Sequence, residues 1–475
     1  MAQPKAWNTF AGYPQHVALS AGPSQNLNLI HWQTPVDLQP QYSGSELFIH
    51  YGSPLITAAN TVIVPVKTGA TGGFRVEAHN GSNGALLWSL PTGYVLPPHD
   101  WTPVFGPALT PKPRLYFPAV AGLVRFRDDP DLATGAQGRI AFYGMANYLA
   151  NPAPYNANVM INTPLTADAS GDVYFGFIVT GATPIPLQSG LARVNASGQG
   201  TWVSAAAAAN DSTMTKVAHN CVPALSWDAK TLYVTVSNGN AGYLVALNSS
   251  TLAPIGRVRL VDPKSGSDSW ISDNSSASPT TGPDGDVYYG VLESPFPENN
   301  DRGWLLHFDR TLINKKLPGA FGWDNTAALV PASLVPSYTG TSHYLLMSKY
   351  NNYANVGGNG DNRIAIVDPQ NSETDPITGV TVMKVVLSIE GLTPNPPLSG
   401  VKEWCINSAA VDAATKSVLA NSEDGKLYRW DLTTNTLSQT VVLTAGLGEA
   451  YTPTAIGADG TVYAINNAIL FAVGK

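Results

Sequence analysis

The chain has 475 residues, 44% of them apolar and only 12% charged, with a formal net charge of −7. That apolar share provides for a packed core and argues against a disordered chain, while an acidic balance without any Lys/Arg cluster argues against nucleic acid or an anionic membrane as partner. No apolar run is long enough to span a bilayer, and 44 glycines and 37 prolines among abundant Asn, Ser and Thr describe many turns between short strands.

In chain order, MAQPKAWNTF resembles a start methionine placed before an already processed N-terminus. With so few charges, the expectation is a secreted or periplasmic protein whose signal peptide is not part of this sequence. Residues 1–27 read as an N-terminal extension and residues 28–475 as one domain. NLIHWQTPV (Asn28 to Val36) then has the pattern of a Trp-bearing strand. SPLITA, VIVPVK, FRVEAH and GALLWSL follow from Ser53, four short alternating or β-branched runs bounded by turn residues.

The same four-run unit returns. Its first strands begin near Pro54, Pro107, Pro164, Pro223, Pro279, Pro331, Ala409 and Pro453, a period near fifty with one long and one short unit. SPTTGPDGDVYYG (residues 278–290) and TPTAIGADGTVYA (452–464) are near-copies. In them Asp284-Gly285 and Asp459-Gly460 supply the positive φ of a tight hairpin turn, as does Asp424-Gly425 in unit seven. The Val-Tyr that follows falls in the second strand, wedged between units. The only helical candidate is the short AAAAAN run from Ala205.

Repeated four-stranded units imply an all-β fold, an eight-bladed β-propeller of four-stranded antiparallel blades, with seven blades as the alternative count. The last unit stops after ILFAVGK without its fourth strand, so Asn28–Val36 is expected to complete the last blade. Deleting residues 1–40 is then expected to destabilise the whole ring by exposing an unpaired edge.

The strand–DG–VY–strand pattern resembles the PQQ-type repeat of the quinoprotein alcohol dehydrogenase-like propellers, from about residue 28 onward. SKYNNYANVGGNGDNRIAIVDP and EWCINSAAVDAATKSVLANSEDGKLYRWDL resemble a bacterial group of that superfamily lacking the quinone site. The resemblance implies a propeller; it does not imply a reaction, since the same blades serve dehydrogenases and scaffolds. Quinoproteins of this kind hold PQQ between a tryptophan floor and a disulfide of adjacent cysteines, with Ca²⁺ beside it. Here Cys221 and Cys405 are far apart and read as two separate thiols, so PQQ is not expected.

Inter-blade loops and second-to-third-strand loops share one face of a propeller, and the unusual residues concentrate there. An Asn recurs before the inner strand (Asn162, Asn220, Asn274, Asn325, Asn407) and reads as a turn anchor. The residue before it varies, and His219, Asp273 and Asp324 from neighbouring blades form a candidate polar arc. Glu403, Glu449, His99 and Asp100 are further candidates for acid–base chemistry, and His219, Asp273, Asp324 and Asp361 for holding Ca²⁺ or Mn²⁺. Trp101, Trp270, Trp323, Tyr350, Tyr353, Trp404 and Tyr451 are candidate ligand-stacking aromatics. Trp88, Trp202 and Trp430 fall within strands and read as core.

Two functions fit these residues. One is a monomeric binding or scaffold module, offering the loop-rich rim to a carbohydrate, peptide or protein. The alternative is a metal-assisted hydrolase or lyase acting on a polysaccharide through the rim carboxylates and His219, with a quinone-dependent dehydrogenase as a minor third reading.

Overall fold

The computed structural model describes residues 6–44, 46–446 and 451–475. Eight antiparallel sheets follow one another around a ring. Their inner strands are Leu55–Ile56, Ala108–Leu109, Thr166–Ala167, Ala224–Leu225, Thr280–Thr281, Ala328–Pro331, Ala410–Asp412 and Ala455–Ile456. We number the blades 1 to 8 in that order. Seven of the expected strand starts fall within two residues of these; in blade 6 Pro331 ends the inner strand instead of opening it.

Ring closure is as expected from the N-terminal Trp-bearing strand. Leu29–Pro35 pairs antiparallel with Ile469–Gly474, from Leu29 opposite Gly474 to Pro35 opposite Ile469. Trp32 then crosses to blade 1, where its Nε1 donates to the Gly81 carbonyl at 2.8 Å and its ring stacks on His79. The second-strand tyrosines do the same between other blades. Tyr233 Oη donates to the Arg310 carbonyl, and Tyr288 and Tyr344 share a hydroxyl hydrogen bond of 2.6 Å.

Gly285 and Gly460 have φ of 92° and 87°, the left-handed geometry the Asp-Gly turns require. Asp424-Gly425 has it too, but joins the second and third strands of blade 7, on the loop-rich face. Blade 5 departs from four strands: Thr280–Thr281, Val287–Val291 and Trp304–Phe308 are regular, and the fourth position is held only by bridges from Lys315 and Gly319. Pro318 lies between them and has no N–H for a ladder. Besides the expected helix (α3, Ala205–Ala209), the loop into blade 3 forms α1 (Met145–Ala150) and α2 (Pro152–Asn158). These two escape a periodicity reading because each is under two turns long.

The central channel is filled by the protein's own N-terminal segment. Trp7 exchanges backbone hydrogen bonds with Ile56 of blade 1. Asn8 and Pro14 accept from the Leu109 and Leu225 amides of blades 2 and 4, and Thr9 Oγ1 donates to Leu165 O beside blade 3. Gln15, Val17 and Ala18 accept from Thr281, Leu329 and Val411 of blades 5, 6 and 7; Gln25 N donates to Gly460 O of blade 8. One strap thereby touches all eight blades, mostly at the last residues of the inner strands, near the short-turn end. No described helix is long and apolar enough to cross a membrane.

Candidate functional site

The loop-rich end of the channel is closed by the recurring asparagines. Asn220 Oδ1 accepts from Val104 N at 2.8 Å, reaching from the entry to blade 4 to the entry to blade 2, while its Nδ2 donates to Ser275 O. Asn407 Nδ2 reaches from blade 7 to Ser276 O and Oγ, both at 2.7 Å. Asn162 and Asn325 hold Val217 O and Ser348 Oγ. The side chains do anchor turns, and two of them, Asn220 and Asn407, tie blades that are not neighbours. Asn274 is held through its backbone, its amide donating to Ser272 Oγ.

The predicted arc is divided into two groups. His219 is buried against Asn162, and burial pulls its imidazole down to about 4 despite nearby Asp273. Asp273 pairs with Lys216, and His99, half-buried, stands close enough to His219 to disfavour its charge. Asp324 faces elsewhere: its Oδ1 accepts from Ser276 N and Oγ, and its Oδ2 lies 4.0 Å from Lys349 Nζ. Asp361 is held by Arg363 at 2.5 Å. Among the described residues no three His, Cys, Asp or Glu side chains are close enough to hold a metal, so His219, Asp273, Asp324 and Asp361 do not form the expected ligand set. The side chain of Asp100 is exposed, and Glu449 lies outside the described residues.

A different acid–base cluster surrounds Lys349, whose side chain is 2% exposed. Burial raises the Glu403 carboxyl, with Lys349 opposing and Glu46 adding to the rise. Glu293 is buried and accepts from Asp301 N and Gly303 N; burial raises its carboxyl as well. Burial first, then the charges of Glu293 and Glu403, push Asp301 up to about 7. Asp301 and Glu293 both stand in LESPFPENNDRG, a loop conspicuous in the sequence for its length and position. Weighting the residue before the recurring Asn passed over them.

The rim aromatics also divide. Trp101 and Tyr451 pack edge to face at 5.6 Å beside Phe48 and His50, roofing the channel mouth. Trp270 is 42% exposed, and Trp323 and Tyr350 are half-buried. Trp404 and Tyr353 are not rim contacts: Trp404 is fully buried against Tyr428, and Tyr353 packs by Phe321 and accepts from Asn351 Nδ2. Trp88 and Trp430 are core, while Trp202 is half-buried against Phe177. Cys221 and Cys405 are buried and form no disulfide.

A cavity of about 580 Å³ lies away from this rim, between the turns of blades 2 and 3 near Lys112, Arg114 and Ser170. A smaller one of about 250 Å³ lies on the rim side of blade 6 and includes Tyr350 and Asp361.

No family model and no curated protein matches the sequence. Solved structures do. The quinohemoprotein alcohol dehydrogenase from Comamonas testosteroni matches with a TM-score of 0.58 at 12% identity, over 100% of this chain and 77% of that one. BamB from Moraxella catarrhalis matches with a TM-score of 0.50 at 12% identity, over 94% and 99%. Sqt1 from Saccharomyces cerevisiae matches with a TM-score of 0.52 at 11% identity, over 95% and 100%. At such identities the likeness speaks for architecture alone. In fold, this chain is an eight-bladed β-propeller of mainly four-stranded antiparallel sheets.

Proposed function

We propose that the protein is a binding or scaffold module that presents its loop-rich rim to a carbohydrate, peptide or protein ligand, and that it works without PQQ or a bound metal. The observation that carries this reading is the filled hub. The strap of residues 7–25 occupies one end of the channel, and the Asn220 and Asn407 side chains cross the other. A ligand is left the rim, where long loops project from a rigid ring. The residues present do not fit the quinone slot that the resemblance implies: the two cysteines stand in blades 4 and 7, and Cys221 Sγ is tied to Thr235 N. The low charged share, 12%, and the Gly-rich composition support a secreted or periplasmic location.

Thermal unfolding with EDTA, Ca²⁺, Mn²⁺ and free PQQ tests the cofactor-free reading. A ligand at a hundred times its Kd adds about 2.7 kcal/mol to stability. The expected result is no shift with any of them; a saturable PQQ or metal shift sinks the reading.

One observation favours a second reading, a hydrolase or lyase on a polysaccharide. Asp301, at about 7, holds a proton near neutrality beside Lys349 and the Glu403 carboxyl, a pairing suited to general acid–base work. Under that reading Asp301→Asn lowers turnover of a polysaccharide substrate at least about a hundredfold. Turnover unaffected by the substitution removes Asp301 from the chemistry.

A further inference from the structure

The outer hairpin of blade 6 forms one wall of a half-open pocket on the rim. Its strands, Arg363–Thr374 and Thr381–Glu390, lose register between Asp368 and Ser372. Beyond that bulge the hairpin reaches to blade 5: Met383 N donates to Pro318 O, and Asp375 at the tip pairs with Arg302. Between the hairpin and the loop of residues 351–362 lies the cavity of about 250 Å³.

Its lining combines the apolar surfaces of Tyr350, Ile377 and Val385 with the polar side chains of Asn352, Asp361, Arg363, Glu373 and Ser388. Among the described residues the Tyr350 hydroxyl makes no hydrogen bond, and its ring stacks on no other ring. Burial drives its phenol upward, so it remains a hydroxyl that both donates and accepts. The cations on the wall are already matched. Arg302 is spent on Asp375, and Arg363 on Asp361 and on Ser388 Oγ at 3.2 Å. An anionic ligand would find no unpaired cation. Glu373 uses Oε1 on Val385 N, leaving its other oxygen as an acceptor.

An apolar face beside planar donors and acceptors suits a molecule with one C–H face and hydroxyl edges. The volume is below the ~300 Å³ at which drug-sized pockets begin, which limits the occupant to about one ring. We propose that this cavity binds a single neutral sugar unit, with its C–H face against Tyr350, Ile377 and Val385 and its hydroxyls bonded to the Tyr350 hydroxyl, Glu373 and Asp361. The proposal rests on the reading of the rim as a binding surface. The larger groove near Lys112 offers no such face, because Arg114 covers the rings of Tyr116 and Phe126.

The test is saturation-transfer NMR on the full chain with the methyl glycosides of glucose, galactose, mannose and N-acetylglucosamine. At least one is expected to receive saturation. Its Kd should rise about tenfold in Tyr350→Phe and again in Glu373→Gln, the loss of roughly one hydrogen bond each, and stay unchanged in Trp101→Ala. Both substitutions keep shape, and melting curves check that each variant is folded. Silence from all four glycosides overturns the proposal, as does binding that survives both substitutions together. Binding lost only in Trp101→Ala overturns the cavity but keeps the rim reading. A PQQ or metal shift would instead sink the rim reading by itself.

Discussion

Arg302 and Asp375 stand 73 residues apart, in the loop of blade 5 and the hairpin tip of blade 6, and form a bidentate pair at 3.1 and 2.7 Å. Both side chains are at most 2% exposed. Arg302 also donates to Asn299 Oδ1, and Asp375 accepts from Thr378, so each charge has its remaining capacity filled. The pair fastens the blade 6 hairpin over a blade that lacks a regular outer strand.

Removing one partner leaves the other charge buried and alone. Arg302→Leu is expected to cost about 3–5 kcal/mol of stability, read as the shift in the urea midpoint. Replacing both, Arg302→Leu with Asp375→Leu, is expected to cost less than the single change, since no charge remains stranded. A double variant less stable than Arg302→Leu would mean the pair stabilises the fold outright.

The strap through the hub makes a second prediction. Trp7, Phe10 and Val17 are each at most 6% exposed there. At roughly 1.5–3 kcal/mol for each large apolar side chain, deleting residues 1–20 should remove on the order of 5 kcal/mol or more. The blade-closing strand Leu29–Pro35 is retained in that deletion, so the measurement isolates the strap. An unchanged melting temperature would show that the ring stands without its filling.

His16 gives the strap a pH dependence. Its Nδ1 lies 2.7 Å from Pro279 O, its Nε2 has no partner, and burial holds its imidazole down at about 4. The unfolded imidazole titrates near 6.5, so between these values the unfolded state binds the extra proton. The stability tied to a neutral His16 is therefore complete above about pH 6.5 and is lost as pH falls toward 4. His219 and His50, also lowered by burial, act in the same direction. His16→Asn tolerates the left-handed backbone at φ 59° and should flatten the slope of unfolding free energy across that window. An unaltered slope would place the acid sensitivity in the other lowered imidazoles, those of His219, His50 and His99.

The repeat was legible because it is local. A period of two in each strand, an Asp-Gly turn and a buried Val-Tyr recur within a few residues of one another, and each rests on backbone sterics or on the alternation of a pleated strand. Closure by Asn28–Val36 was legible too, since a missing fourth strand and a surplus one with the same Trp pattern have only one economical pairing. The arc of His219, Asp273 and Asp324 was not. Spacing along the chain says which blade a loop residue enters from, but not which way its side chain turns once Lys216 and Lys349 compete for the two carboxylates. Trp404 and Tyr353 look the same in sequence as Trp270; burial separates them.

By itself, then, the sequence determined the ring and its seam, because those follow from hydrogen bonds between neighbouring strands, while eight blades against seven was decided by the assembled sheets. Tertiary structure alone decided that residues 7–25 fill the hub, that Asn220 and Asn407 close the mouth, and that Arg302 meets Asp375. Each of these joins segments with no repeating partner in the chain, and their pairing is set by which buried donors, acceptors and charges the assembled ring leaves to be satisfied.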